Sequence, residues 1–571
     1  MGEKARFFYY PEVRQGPTVP YKNEDQVIPV FRGTPLAIGA SLIQNIGLVQ
    51  NYFWRNAGFS IIRDLPLDQY SPRYDPTVIP VLDTDNNTTS TTSPATLPVP
   101  TEKRTGNVGY YTTADYVALY KSGELTPIVL VETLLPLIRR DASPPGKHSV
   151  AFLDSQVERI RAAAEASTQR YKDGCPLGPL DGIPVAIKDE VHMEGYRRTL
   201  GSKMDFTGDV RGTSWCVRKW EEAGAIVIGK TTMHELGLDT NNNNPNYGTP
   251  RNPHNANYYC GGSSGDPATP GSPTVSLAST VGVYGPMASN LDDLALAYRI
   301  MATPAPATAD PLSSTFPSPL SELAAHLSLK RSPRPIGIIP PWLTHTHPTV
   351  LRIFNRALAH FTSLNHPILE LDIPYLPEGQ RAHVLTIMNE IASGLTPSQI
   401  SSLTAPNKVL VSMGMWQITG QDFLASQRLR NLLMAHLAFL FREHPGLVIL
   451  TPTTPIPGWE IEGGEKDLVN GLSDGKTSVR NMEFVWLANF TGCPAVSCPV
   501  GYCGKDGDGD AVPVGLMAMG EWGTEEDLID FAREGEGILG MEEEEGASGS
   551  GLSVPAGWED VVRQAVENMR S

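Results

Sequence analysis

Long apolar runs are missing from this sequence. The longest apolar region, residues 35–50 (PLAIGASLIQNIGLVQ), is interrupted by Gln44 and Asn45, and it falls short of the roughly 20 residues that a membrane-spanning helix needs. The first residues, MGEKARFFYYPEVRQG, place charges where a secretory signal needs its apolar core. No membrane partner is therefore expected, and a cytoplasmic location is; the sequons at Asn86, Asn87 and Asn489 carry little meaning in that setting. An excess of positive charge is lacking too. The formal net charge is −17, which excludes the basic face that nucleic-acid binding requires, although part of the acidity sits in one tract, MEEEEG at 541–546. Cysteine is scarce. Six in 571 residues make no disulfide framework, and although Cys493, Cys498 and Cys503 lie close together, no CxxC or Cys/His metal spacing occurs. No metal or other cofactor is expected.

What is present describes an ordinary globular protein with ample core: 40% hydrophobic and 19% charged residues. Residues 84–104 are polar, low in complexity and aperiodic, so 1–104 reads as an N-terminal extension with its linker, and 105–571 as one domain carrying an acidic Gly/Glu-rich insertion near 534–551. Helix and strand signals alternate after the linker. Thr126-Pro127 supplies a cap residue with proline at the first helical position, and Pro136 should kink the helix that follows. Ser155 and Glu158 have the spacing of a capping box. GIPVAIKD (182–189) and GAIVIGK (224–230) are short, apolar and β-branched, as expected of neighbouring interior strands, and SWCVRKWEEAG between them reads as a helix closing on Gly224. PIGIIP (335–340) and LVILTPTTP (447–455) look like further strands, with a long helix over 420–443 before the second and a last short helix at the C-terminal end. Alternation of this kind means an α/β architecture with a largely parallel or mixed sheet.

Few residues carry chemistry on their own. Lys188 closes the apolar run PVAI, where a lysine either reaches back to water or is held dry with its ammonium form disfavoured; solvated strand-end lysines are the commoner case. Gly261-Gly262-Ser263-Ser264-Gly265 suits an anion nest or a nucleophile turn, but also a flexible loop. His234-Glu235 is half of a zinc motif without its second histidine, THTH at 344–347 reads as surface loop, and Cys260 is a packed thiol more readily than a nucleophile.

In combination these elements say more. PLGPLDGIPVAIKDEV (176–191), GAIVIGKTTMHELG (224–237), NNPNYGTPRNPHN (243–255) and GGSSG (261–265) occur in an order and spacing that closely resemble the amidase signature family. STVGVYGPMASNLDDLALAYRIM (279–301), LTPTTP (450–455) and NFTGCPAVSCPVG with VPVGLMAMG (489–520) fit the same family, so the likeness covers about 105–535. Within the family it is nearest to fungal-type amidases similar to the glutamyl-tRNA amidotransferase A subunit. The resemblance implies an α/β fold with a mixed central sheet covered by helices on both faces. It also implies hydrolysis of a small-molecule carboxamide, with no cofactor, by a Ser–cis-Ser–Lys triad. Lys188 matches the lysine, Ser263 the bridging cis-serine and Ser264 its supporting serine, with Gly261 and Gly262 relieving crowding at a cis bond. Lys188 is accordingly expected close to Ser263.

One part of the family pattern is absent. There, the Gly-Ser turn opens an Ala-rich helix, a strand follows, and a second Gly-Gly-Ser turn carries the nucleophile and the oxyanion donors. Here DPATPGSPTVS follows Gly265 and leads straight into the downstream motif, so that Met287 falls where the nucleophile belongs. About forty to fifty residues, an αβ unit, are lacking. No nucleophile is identifiable; Ser272, Ser276, Ser279 and Thr280 lie in the junction without a comparable turn. Three readings stay open: an active amidase whose coding sequence has been wrongly joined, a catalytically dead relative that acts as a binding protein, or another α/β hydrolase using Cys260. The oligomeric state is not legible.

Overall fold

The computed structural model describes residues 7–23, 29–81, 110–262, 277–321, 323, 333–504, 511–540, 553–555 and 557–571. Most of the expected linker and of the acidic insertion lies outside them, as do Ser263 and Ser264 of the Gly-Ser turn. The chain is mixed α/β. Strands form where apolar, β-branched runs are bounded by glycine, proline or lysine: β1 (Phe152–Asp154), β2 (Pro184–Lys188), β3 (Ile226–Thr231), β4 (Ile336–Ile338), β5 (Ile368–Glu370), β6 (Val448–Pro452), β7 (Ala495–Cys503) and β8 (Val512–Met519). They make two sheets. In the first, β3 is central, with β2 parallel on one side (Val185 opposite Val227, Lys188 opposite Thr231) and β1 antiparallel on the other. β1 approaches so closely that a Cβ on Gly229, at φ +153°, would lie 2.5 Å from the Asp154 carbonyl oxygen. Only glycine fits there. The second sheet runs β7-β8-β6-β4-β5, with β4, β5 and β6 mutually parallel and β7 and β8 antiparallel to their neighbours.

PVAIK and AIVIGK are thus adjacent as expected, but β2 is not interior. Among the described residues it has a neighbour on one side alone, and Ala186 is exposed. The same is true of β7 in the second sheet, where Ala495 and Ser497 are exposed.

The helices that matter for the site are α1 (Gly33–Asn45), α2 (Gly47–Asn56), α3 (Pro127–Ile138), α4 (Val157–Lys172), α5 (Trp215–Glu222), α6 (Leu291–Met301), α7 (Pro348–Ser363), α8 (Leu376–Ser393), α9 (Ala405–Gln417), α10 (Gly420–Glu443), α11 (Glu525–Glu536) and α12 (Val561–Arg570). α3 starts on Pro127 and stops two residues after Pro136, and α5 ends at Ala223 with Gly224 at φ +94° accepting the chain reversal. The capping box at Ser155 and Glu158 does not form. Gln156 is the cap of α4, the Ser155 hydroxyl is buried without a hydrogen bond, and Glu158 pairs with Arg161 at 3.3 Å. The helix begins one residue later than the motif requires, because Asp154 and Ser155 are drawn towards β3.

The main core packs α7, α8, α10 and α11 around the second sheet, with Leu429, Leu433 and Leu437 of α10 fully buried and Phe361 stacked on Phe531 at 4.4 Å. The N-terminal extension, read from the sequence as a segment apart from the domain 105–571, contributes to this core. Trp54, Phe59, Ile62, Tyr70 and Val78 sit in the same cluster, since a stretch so rich in large apolar side chains gains more by burial than by exposure.

Above the two sheets the helical layer is continuous. Trp220 and Trp215 of α5 donate to the Ala297 and Thr303 carbonyls at the end of α6 (3.0 and 2.6 Å). On the other flank of α6, Arg299 forks onto Glu526 (2.8 and 2.6 Å) and Asp292 pairs with Arg533 of α11 at 2.9 Å. α6 packs Leu296, Ile300 and Met301 with Val185 and Ile187 of β2, while α11 covers Cys498 of β7 with Phe531 and Ala532. The α5–α6–α11 layer thus links the two sheets, each of which presents an edge strand, β2 in one and β7 in the other.

Candidate active site

Two neighbouring strands each carry a lysine at or next to their last residue, and the two have different surroundings. Lys230, on the central strand β3, is 1% exposed; its ammonium donates to the Asp189 and Val191 carbonyls (3.2 and 2.7 Å) and lies 3.3 Å from Asp189 Oδ1. Burial pushes its pKa down against the pull of Asp189. Asp189 is equally buried, and its other oxygen accepts from the Thr199 amide (3.0 Å), the Thr199 hydroxyl (2.5 Å) and the Gly201 amide (3.2 Å). This is a closed polar knot that fixes the strand ends. Lys188, on the edge strand, stands on the bare face with Ala186, because residues two apart on a strand share a face. Its side chain is 24% exposed and its Nζ lies 3.1 Å from Glu190 Oε2. The edge position that exposes Ala186 also lets Lys188 meet a carboxylate.

The Gly-Ser turn arrives beside a loop of asparagines. Gly261 adopts φ +79°, and a Cβ on Gly262 would lie 2.6 Å from the Asn242 Cβ. Asn242, itself at φ +59°, donates to the Cys260 sulfur at 3.5 Å. Around it Asn241 accepts from the Asn243 amide (2.8 Å), Asn243 donates to the Asp467 carbonyl (2.9 Å), and Asn244 donates to the Gly201 and Met233 carbonyls (2.9 and 2.6 Å). The loop is held rigid by its own side chains. At its start Asp239 is buried, accepting from the Thr240 amide at 2.7 Å and from Asn241 at 3.1 Å, and burial pushes its carboxyl up to about 6. The expected Lys188–Ser263 contact lies outside the described residues.

Other candidates resolve into structural roles. Glu235 accepts from the Thr404 amide and hydroxyl (2.8 and 2.5 Å), from Asn407 (3.0 Å) and from Asn246 (3.0 Å), tying the loop to α9. His234 is buried with its pKa lowered to about 4, and no group of His, Cys, Asp and Glu among the described residues is arranged for a metal. Cys260 donates to the Gly261 carbonyl at 3.0 Å, and burial raises its pKa, the opposite of what a thiolate nucleophile needs. His347 caps α7 through the Thr349 amide. Thr280 donates its hydroxyl to Glu390 and accepts from the buried Arg430 at 3.1 Å, so it pins this stretch of chain to α8 and α10. Ser272 and Ser276 lie outside the described residues.

A model of the amidase family matches the chain in two stretches, residues 145–272 and 267–529. The chain belongs to the amidase signature family. It is 31% identical to a fatty acid amide hydrolase of Medicago truncatula over 77% of this chain and 78% of that one. It is 30% identical to that of Arabidopsis thaliana over 74% and 75%. The A subunit of the glutamyl-tRNA(Gln) amidotransferase of Thermus thermophilus is 26% identical over 71% of this chain and 93% of its own length. Among solved structures, a bacterial aryl acylamidase of the family superposes with a TM-score of 0.61, at 21% identity, over 76% of this chain and 97% of that one; at such identity the likeness is one of fold. The chain is thus an amidase by family, built on the mixed α/β fold of amide hydrolases. Lys230 and Asp239 escaped sequence reading for an identifiable reason. AIVIGK has the same strand-end grammar as PVAIK, and nothing in DTNNNN announces that its aspartate is buried.

Proposed function

We propose that this chain is an acyl-amide hydrolase of the Ser–cis-Ser–Lys type that, as written, lacks the αβ unit carrying its nucleophile. The plant relatives are fatty acid amide hydrolases, so an amide with a long apolar acyl chain is the proposed substrate class. In the complete enzyme Lys188 takes a proton through Ser263 from the nucleophile, whose oxygen attacks the carbonyl. The amine leaves with that proton, and water releases the acid. Ser264, with Gly261 and Gly262, holds the bridging serine.

The observation that carries this reading is the pair of sheet edges. β2 and β7 are both edge strands with exposed residues, Ala186 on one and Ala495 and Ser497 on the other; α6 packs on β2 and is joined through Arg299 and Asp292 to α11, which packs on β7. An added αβ unit would supply a strand to pair such an edge and a helix to cover the exposed residues. The junction segment 263–276 cannot serve, since Pro267, Pro270 and Pro273 cannot donate to a ladder. The break of the family match at 267–272 supports the same place.

Sequencing the transcript across codons 265 and 266 tests the proposal. An insertion of about forty to fifty codons with a Gly-Gly-Ser turn is expected. Reads that join Gly265 directly to Asp266 would favour the non-catalytic binding relative instead.

A further inference from the structure

The N-terminal extension precedes the family match, which begins at residue 145, yet it grips the layer on which the Gly-Ser turn rests. Phe31 and Arg32 pair antiparallel with Ser473 and Leu472. Arg32 Nη2 donates to Glu462 Oε2 at 2.8 Å, and its Nε lies 3.5 Å from Oδ1 of Asp467, whose side chain is fully buried. Burial pushes the Asp467 carboxyl up, against the pull of Arg32. This carboxylate is packed onto its own loop: the Gly463 amide donates to it at 3.0 Å, and a Cβ on Gly463 would lie 2.0 Å from Oδ1. Carboxylate and backbone of 463–467 therefore move together. Asp467 also holds the asparagine loop, since its carbonyl accepts from Asn243 (2.9 Å), which donates in turn to the Tyr259 hydroxyl (3.3 Å). Asn243 follows Asn242, against which Gly262 is packed. Just upstream of Asp467, the Ile461 amide donates to the Asn257 carbonyl and the Trp459 carbonyl accepts from the Tyr259 amide (2.8 and 2.9 Å). Tyr259 leads directly into Cys260, Gly261 and Gly262.

We propose that Arg32 is a positioning residue for the Gly-Ser turn. Through Asp467 it holds segment 459–467, and that segment holds both the asparagine loop and Tyr259, so the extension sets where Gly261 and Gly262 deliver the chain. An anchor for the extension alone would need no more than Glu462, a partner at the surface, where an ion pair contributes little. Asp467 is a different kind of partner. Without Arg32 its charge is buried uncompensated, a state relieved by protonation or by movement of the segment that carries it. Because the same residue's carbonyl receives Asn243, that movement reaches the turn. A second grip acts in the same sense further along the chain. The Tyr21 hydroxyl and Asn23 donate to the buried Glu483 (2.9 and 3.2 Å), two residues beyond Asn481, which donates to the Thr240 hydroxyl at 2.7 Å. The benefit to catalysis rests on the acyl-amide reading, which puts Ser263 to work; the mechanical link does not.

Cys260 supplies the readout, because its sulfur accepts from Asn242 and donates to the Gly261 carbonyl and so reports the turn without any turnover. Alkylation of the native full chain by iodoacetamide, followed cysteine by cysteine by peptide mass spectrometry, tests the proposal. Arg32→Met should raise the Cys260 rate about tenfold, as a thiol released from burial regains thiolate. The buried Cys216 and Cys493 should stay protected. Arg32→Lys, which keeps a cation facing Asp467, should restore most of the protection at Cys260. In an Asp467→Asn background, where no charge is left to compensate, Arg32→Met should add little to the Cys260 rate. That comparison decides even where Arg32→Met alone does not fold. An unchanged Cys260 rate in Arg32→Met overturns the proposal. So does a rise shared with Cys216 and Cys493, which would mean general loosening of the fold, and so does an equal rise in the Asp467→Asn background. None of these outcomes depends on amide hydrolysis, so the catalytic reading stands or falls separately.

Discussion

Lys188 ends β2 and Lys230 stands one residue before the end of β3, and their partners make opposite mutational behaviour expected. Removing Lys230 leaves Asp189 buried beside an empty position, a change that typically costs about 3–5 kcal/mol. Lys188→Ala removes a partly exposed pair with Glu190 and should change stability by at most about 1 kcal/mol. Urea melts of Lys230→Met and Lys188→Ala check this; equal losses would mean that Lys188 is as deeply embedded as Lys230. Asp239 gives a pH signature. Its folded pKa of about 6 lies above the ordinary value of 3.8, so the folded state holds the proton better. Stability from this group is greatest below pH 4, falls as pH rises towards 6, and is flat above. His234, lowered from 6.5 to about 4, acts in the other direction over the same interval, since the unfolded chain takes up the proton first. Asp239→Asn should therefore steepen the acid loss of stability between pH 6 and 4, and unchanged steepness would place the carboxyl in water. The identity of Lys188 was legible because a lone cation after four apolar residues stands out. Its surroundings were not, because they depend on whether its strand lies at a sheet edge, which an apolar run does not announce.

At the level of elements, legibility followed how local the cause is. α5 closing on Gly224, Pro127 at the start of α3 and the span of α10 could all be read, because caps and periodicity act within a few residues. The Ser155–Glu158 pattern misled because a Ser-x-x-Glu spacing caps a helix only if the chain enters at the right residue, and here the contact with β3 decides that. Two substitutions separate the cases. Thr419→Ala breaks a formed capping box at the head of α10 and should cost about 1 kcal/mol, whereas Ser155→Ala removes a buried hydroxyl without a partner and should be neutral or stabilising. Thermal melts of the two variants decide; a larger loss for Ser155→Ala would restore the capping box. Edge or interior position was illegible for β2, since an apolar run has the same composition in either place.

For the whole molecule, β2 and β7 each have a neighbouring strand on one side alone among the described residues. They should exchange their outward amides with deuterium faster than β3 and β8, which are paired on both sides, and the proposed αβ unit, if supplied, should restore protection. Uniform protection in the 571-residue chain would mean that the edges are already paired. On the proposed reading, the chain as written should neither hydrolyse an aryl amide nor label with a fluorophosphonate, because that reading leaves a base and a bridge without nucleophile or oxyanion donors. Turnover that Lys188→Ala abolishes would show that a junction serine has taken the nucleophile's place.

The clasp between α5, α6 and α11 also bears on how the molecule assembles. Its bonds join residues far apart in the chain: Trp215 to Thr303, and Arg299 to Glu526. The connection from β3 to α6 is a loop that must close before those bonds can form, and the closure entropy rises only logarithmically with its length, by about 0.6 kcal/mol per doubling. Lengthening it by an αβ unit therefore adds little to the search, and shortening it removes little. A chain with the proposed αβ unit added would reach the same helical roof at nearly the same rate as this one. Refolding monitored by the tryptophans of α5 should consequently show similar rate constants for both lengths, with the difference appearing in unfolding, where the surface buried by the added unit is felt.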